Sequence, residues 1–435
     1  MNKKIDQVYR EMLQSDPEKF LKDYAVITEK LKNSTARYKG KIIDFLYQPM
    51  FFDSRDIKQF KYIAEKLSDI IEKCTTEFLS NPSFRKYFGY SEIMEELILL
   101  DPGYKIPAPI ARFDLFYDEG NFKLCELNGD GTSAMNEANT LEQIFLESQI
   151  IKELQKDYEI YYYELFLTWL NELLNIYREF GGKGNPNIAI TDFSGLGTNE
   201  EFDRFKNVFE GQGYKTLICD PRDMSYKNGE LSVAGLRIDL VYRRAVNKEV
   251  ESRITEVEAL IQAYRDKAVC IVGPFRSQIM HNKIFFEILC DAKKTDFLNS
   301  EEREFINQHI PDTFTLQEEN LQKVISSKDS FVIKPKDSYG GRNVVCGSDL
   351  TAAEWKNELQ KASQTGNYLL QEFSNFTSKK LPVISDGKIE FKTFKTTLGL
   401  FVYNGKLQGL YSRVGSRNVI AGSIESITLP SLVYS

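Results

Sequence analysis

An α+β fold is predicted from three observations. The first hundred residues carry apolar positions at helical spacing. A segment near residue 115 alternates polar and apolar residues around a turn, as a half-buried β-hairpin does. The stretch after residue 186 alternates short apolar strands with an amphipathic helix.

The helical start follows from local signals. Asp16-Pro17-Glu18 supplies a capping carboxylate and a proline in the first turn. Ile57, Phe60, Ile63, Ala64, Leu67, Ile70, Ile71 and Cys74 then form one apolar stripe, read as core packing. Asp101 to Pro109 forms a Pro/Gly loop that enters the hairpin.

In the hairpin, Ala111–Tyr117 and Phe122–Asn128 flank the turn residues Asp118-Glu119-Gly120-Asn121. An odd-numbered loop centred on Gly120 would set Arg112 opposite Asn128 and Asp114 opposite Glu126. Two directly opposed carboxylates destabilise a sheet unless positive charge lies between them. Oxygen ligands with no His or Cys beside them suit Mg²⁺; the alternative is a solvated polar face. Gly129-Asp130-Gly131-Thr132-Ser133 follows, a polar loop that can place N–H groups and hydroxyls beside the carboxylates, ahead of a helix over Met135–Glu153.

Helix is expected broadly from Asn136 to Phe180, ended by the Gly181–Pro186 cluster, a boundary candidate. Beyond it, Ile188-Ala189-Ile190, Tyr214–Ile218 and Ile238–Tyr242 read as strands and Asn199–Glu210 as a helix. Gly195-Leu196-Gly197 lacks the third glycine of a dinucleotide fingerprint, because Glu200 stands there, and no Walker A motif occurs. Phe331-Val332-Ile333-Lys334-Pro335, the loop Lys336–Arg342 with Gly340-Gly341, and the strand Val344-Val345-Cys346 form a strand–glycine flap–strand unit. Such a unit suits a triphosphate, the alternative being an ordinary hairpin with a glycine turn. Tyr368–Phe373 is a strand whose edge can face adenine. Asn282-Lys283 opens an apolar helix, and Gly409–Arg413 is a strand ending in arginine.

Composition narrows the function classes. The chain has 435 residues, 42% hydrophobic and 27% charged, long enough for several subdomains. A net charge of -7 with no basic-aromatic cluster argues against a nucleic-acid partner. No apolar run reaches the ~18 residues that span a bilayer, and the lysines at the start are not followed by a secretion signal. Cys74, Cys125, Cys219, Cys270, Cys290 and Cys346 are scattered without a CxxC pair, as expected of free thiols in a cytoplasmic protein. His281 and His309, the only histidines, are expected to be structural, which leaves proton transfer to carboxylates, lysine or substrate.

The order Arg112-x-Asp114, Glu126-x-Asn128, Asn282-Lys283, Lys334-Pro335 with its flap, Gln371-Glu372-Phe373 and Arg413 resembles the synthetase domain of the glutathionylspermidine synthase family. Asn128-x-Asp130-x-Thr132-Ser133 and the Ile238–Arg244 strand add to the likeness. The resemblance implies a circularly permuted ATP-grasp fold of the glutathione-synthetase type, and an ATP- and Mg²⁺-dependent ligase joining a small-molecule carboxylate or peptide to an amine through an acyl phosphate. It implies that Asp114, Glu126 and Asn128 hold Mg²⁺, and that Lys283 and Lys334 contact phosphates beneath Gly340 and Gly341. Gln371, Glu372 and Phe373 would border adenine, and Val419, Ile420 and Ala421 would close the pocket. Arg112 and Arg413 would steady the transferring group, with Thr132, Ser133, Glu200 and Glu201 near substrate positions. The implied division is a helical region 1–105, a metal-binding hairpin with helices 106–180, an α/β subdomain 186–275 and nucleotide-binding subdomains 276–435. The family's amidase and its Ser-Arg-Phe motif after the arginine strand are missing, the latter replaced by Gly422-Ser423-Ile424-Glu425-Ser426, so product hydrolysis is not expected and the amine stays open. A nucleotide-binding protein that ligates nothing and a small-molecule kinase are the rival readings.

Overall fold

The computed structural model describes residues 3–338, 340–374, 377–422 and 424–435; Tyr339 of the flap and Ser423 of the C-terminal stretch lie outside the described residues. Among these, no helix is long and apolar enough to cross a membrane.

A six-stranded antiparallel sheet carries the hairpin. Its strands run in the order Ile427–Leu429, Lys406–Gly415, Lys388–Tyr403, Ile110–Asp118, Asn121–Asn128, and Ser378–Ser385 pairs with the first half of the long strand. One face is apolar: Phe113, Leu115, Leu124, Leu127, Leu398, Leu400 and Val402 pack into a core shared with the Ser54–Ser80 helix. The expected stripe from Ile57 to Cys74 is buried on that helix, under a capping box at Asp53 and Asp56. The opposite face carries the polar residues, because side chains alternate across a strand.

Asp114 lies opposite Glu126 and Arg112 opposite Asn128, as expected. The route differs. The turn has two residues, Glu119 and Gly120, both at positive φ. That turn alone would pair Asp114 with Cys125. Pairing shifts by one residue between Asp114 and Leu115, leaving Cys125 as the extra residue of a bulge. The bulge turns Glu126 and Asn128 to the polar face.

A second sheet is parallel, in the order Cys270–Val272, Leu240–Arg243, Ile188–Thr191, Thr216–Cys219. The third, Thr313–Thr315, Tyr368–Glu372, Phe331–Pro335, Val345–Cys346, is antiparallel. Three expectations are corrected here. The first hundred residues are not wholly helical: Arg37–Tyr38 pairs with Lys41–Ile42, and Met50–Phe52 lies parallel to Ser431–Tyr434, tying the two ends of the chain together. The helical run from Asn136 to Phe180 is three helices, Met135–Leu146, Gln149–Leu154 and Phe166–Glu179. Ser148 caps the second, and Ile160–Tyr161 is drawn into a strand by Val433–Tyr434. Tyr368–Glu372 is an interior strand, so most of its edge is already paired.

Candidate active site

The polar face of the hairpin, the carboxyl ends of the parallel strands and the third sheet surround one cavity of about 540 Å³. That size suits a small-molecule ligand. Arg112, Asp114, Glu126, Asn128, Thr132, Ser133, Lys283, Lys334, Gly340, Gly341, Gln371, Glu372, Phe373, Arg413, Val419, Ile420 and Ala421 all line it. Residues three hundred positions apart thus meet in one place.

The hairpin carboxylates are not bare. Asp114 accepts from Arg112 Nε at 2.7 Å and Arg413 Nη2 at 2.8 Å, and from Asn128 Nδ2 at 3.3 Å. Glu126 Oε1 lies 2.8 Å from Lys283 Nζ. The positive charge required between opposed carboxylates is therefore supplied by side chains. Burial raises the Asp114 carboxyl, but the Arg112 and Arg413 guanidiniums outweigh it and hold it below its ordinary value. Burial and Asp114 raise Glu126, and Lys283 with Lys334 lowers it further than they lift it.

Gly399 makes room for Arg112 to fold back onto Asp114. It pairs with Asp114 on one side and Tyr411 on the other. A Cβ there would lie 2.8 Å from Arg112 Cδ and 2.9 Å from Asp114 Oδ1. The missing side chain leaves the space in which Arg112 meets Asp114. The Tyr411 ring lies beneath both guanidiniums, 5.4 Å from Arg112 and 4.9 Å from Arg413.

Lys334 Nζ donates to Gln371 Oε1 at 2.6 Å and to the bulge carbonyl of Cys125 at 3.1 Å. Lys283 Nζ also donates to the Ser338 carbonyl, 2.6 Å away, so it joins the hairpin to the base of the flap. With Arg112, Arg413, Lys283 and Lys334 set against Asp114 and Glu126, this group has a formal surplus of positive charge, which favours polyanions. On the adenine-side candidates, the N–H groups of Glu372 and Phe373 are spent on the carbonyls of Asp312 and Ser330.

The loop after the hairpin is tightly held. Thr132 Oγ1 donates to the Asn128 carbonyl (2.9 Å), the Ser133 carbonyl accepts from Arg112 (2.8 Å), and Asp130 pairs with Arg243 (3.2 Å). Glu200 and Glu201 do not line the cavity. Glu201 is buried behind it, 2.9 Å from Arg244, and fixes that arginine, which does line it.

Several lining residues were not assigned to the site from sequence. Asp192, Gly195–Thr198 and Arg244 stand at or just beyond the carboxyl ends of parallel strands, where ligands bind in α/β sheets. The Gly195-Leu196-Gly197 loop thus faces the cavity without being a dinucleotide motif. Tyr38 to Asp44 forms another wall, and its Lys39-Gly40 turn, both residues at positive φ, was the available hairpin signal. Glu137 lines the cavity from the first turn of the Met135–Leu146 helix. His309 is structural as expected, stacked on Phe122 at 3.8 Å. His281, expected to be structural too, lines the cavity.

A lysine-bearing antiparallel sheet with a glycine flap, closing on a second sheet that carries carboxylates and arginines, defines an ATP-grasp architecture. The family model for circularly permuted ATP-grasp type 2 matches residues 101–415, and the chain belongs to that family. No curated protein sequence matches it. Among solved structures, the glutathione synthetase-like effector GSS30 from Globodera pallida, in its apo form, aligns over 96% of this chain and 97% of its own, with TM-score 0.60 and 11% identity. That likeness speaks for the fold alone. A putative gamma-glutamylcysteine synthetase from Methylobacillus flagellatus aligns over 90% of each chain at 10% identity, with TM-score 0.43.

Proposed function

We propose that the protein is an ATP- and Mg²⁺-dependent carboxylate–amine ligase that works through an acyl phosphate, similar to glutathionylspermidine synthase in the layout of its site. The observation that carries this reading is the meeting of Asp114 and Glu126 with Arg112, Arg413, Lys283 and Lys334 in one cavity. Family membership supports it.

The donor set fits Mg²⁺. Glu126 pairs with Lys283 through Oε1, and Asn128 uses Nδ2 on Asp114 and so keeps Oδ1 for a cation. Asp114 would share with the metal the oxygens that Arg112 and Arg413 hold. Mg²⁺ is held by one or two carboxylates plus phosphate oxygens, and it supplies charge neutralisation to the transferring phosphoryl group. The remaining work belongs to the chain. Lys283 and Lys334 hold phosphate oxygens, Gly340 and Gly341 cover them, and Gln371 to Phe373 with Val419 to Ala421 enclose the base. Arg112 and Arg413 hold the substrate carboxylate while one of its oxygens attacks the γ-phosphorus, and ADP leaves. The same arginines then stabilise the oxyanion as an amine attacks the carbonyl carbon and phosphate departs. No histidine is needed.

Incubation with Mg-ATP, pools of amino acids and short peptides, and hydroxylamine tests the reading. ADP release with hydroxamate formation supports the ligase. A stable phosphoester would mark a kinase, and ATP binding without turnover a nucleotide-binding protein. Glu126→Gln keeps the residue's shape and removes one oxygen charge; it is expected to raise the Mg²⁺ concentration needed for turnover, and an unaltered Mg²⁺ dependence would remove Glu126 from the metal set.

A further inference from the structure

The acids of the cavity are not equivalent. Asp114, Asp130 and Glu137 are its fully buried acids, at 4%, 6% and 4% exposure. Asp114 is paired with two arginines and Asp130 with Arg243. Among the described residues Glu137 forms no ion pair, and its own main-chain N–H lowers its carboxyl. An uncompensated buried carboxylate is costly, so Glu137 holds a proton near neutral pH, and a cationic ligand beside it favours the charged form.

Its surroundings come from four elements. Glu201, on the Asn199–Gly211 helix, lies close because its Oε2 accepts from the N–H of Asn136, the residue before Glu137, at 3.1 Å. Arg112 on the hairpin, Arg244 past the end of a parallel strand, and Tyr411 on the Lys406–Gly415 strand are the other charged or titratable neighbours. Arg112 is ion-paired with Asp114, and Arg244 with Glu201. Both guanidiniums favour the charged form of Glu137, but each already has a carboxylate partner, and burial with Glu201 outweighs them. Asp192, beside Arg244, is a further carboxylate lining the cavity.

We propose that Glu137 is the catalytic carboxylate for the acceptor amine, binding it as an ammonium ion beside Arg112 and taking one proton from it as the nitrogen attacks. This rests on the ligase reading. The balance is simple. R–NH₃⁺ gives one proton to the Glu137 carboxylate and becomes R–NH₂. Its lone pair forms the C–N bond, the C–O bond to phosphate breaks, and phosphate leaves with that electron pair. The second nitrogen proton goes to the departing phosphate, and Glu137 returns its own proton to water on product release. Burial, with Glu201 beside it, pushes the carboxyl up to about 8 against the opposing pull of Arg112 and Arg244. A base with that affinity is matched to an ammonium near neutral pH.

The test compares two nucleophiles on one acyl donor, the carboxylate that gives hydroxamate in the screen above. Hydroxylamine is unprotonated at neutral pH and needs no base to free its lone pair. Ammonium, α-amino acids and polyamines arrive protonated. Glu137→Gln is expected to lower amide formation with the best of these amines by about a hundredfold relative to hydroxamate formation. Amide formation by Glu137→Gln should also rise more steeply than wild type as pH is raised toward 9, because the variant depends on amine that has already lost its proton. Glu137→Asp should restore part of the amine reaction. Equal use of amine and hydroxylamine by Glu137→Gln, or loss of both together in a protein that melts like wild type, would overturn the assignment and leave the ligase reading standing. A wild-type protein that gives no hydroxamate from any carboxylate would overturn both.

Discussion

Gly399→Ala tests the geometry on which the site depends. The position is not in the left-handed region, so alanine adds a methyl group and no backbone strain. That methyl would sit 2.8 Å from Arg112 Cδ, 2.9 Å from Asp114 Oδ1 and 3.0 Å from Arg112 Cγ. Carbon contacts settle near ~3.5–4.0 Å, so the neighbours must retreat by about 1 Å. The atoms concerned belong to a buried ion pair only 2.7 Å long, with Arg413 on its other side. Overpacking of this kind costs about 1–3 kcal/mol, less than the ~3–5 kcal/mol for deleting one member of a buried pair, because both charges remain. Function should suffer more than stability, since a misplacement of about 1 Å can cost about a hundredfold in rate. Urea unfolding and ADP release measure the two effects. A Gly399→Ala protein with the wild-type urea midpoint and wild-type turnover would refute the claim that this gap positions Arg112 against Asp114.

Two further outcomes follow from the charges. Lys334→Ala should weaken binding of a non-hydrolysable ATP analogue in calorimetry, because its ammonium is anchored by Gln371 and Cys125 and aimed at the cavity; unaltered affinity would remove Lys334 from the phosphate site. The Glu137 carboxyl lies above its unfolded value, so the folded state holds the extra proton between about pH 4.3 and pH 8, and stability falls as pH rises through that window. Glu137→Gln should therefore gain stability over wild type at pH 9 and little at pH 4, read from urea midpoints; an equal shift at both would contradict the buried, unpaired state.

Much of the site was legible in the sequence because its signals are local. A capped helix start, a polar–apolar alternation and a lysine at the end of a strand each report on their own neighbours. The Asp114–Glu126 pairing was read correctly through a wrong turn: an odd loop was expected, whereas a two-residue turn and the Cys125 bulge together give the same register. A bulge leaves little trace in a sequence, since two adjacent half-buried residues, Cys125 and Glu126, look like a lapse in alternation. The single long helix after Asn136 failed for a different reason. Residues 158–163 are rich in tyrosine, and the C-terminal strand recruits Ile160–Tyr161 from more than 270 positions away. The cation partners of Asp114 and Glu126 were similarly out of reach, because Arg413 and Lys283 arrive from distant elements. With them the hairpin carboxylates are balanced by the fold itself, without a cation from outside.

The central claim is that a carboxylate oxygen attacks ATP and leaves with phosphate. The most direct measurement uses the carboxylate identified by hydroxamate formation, labelled with ¹⁸O in both oxygens, and mass analysis of the phosphate released during amide formation. The account predicts one ¹⁸O atom in the phosphate for each ADP formed. Phosphate without label, with ADP still produced, would show that no acyl phosphate forms and would contradict it.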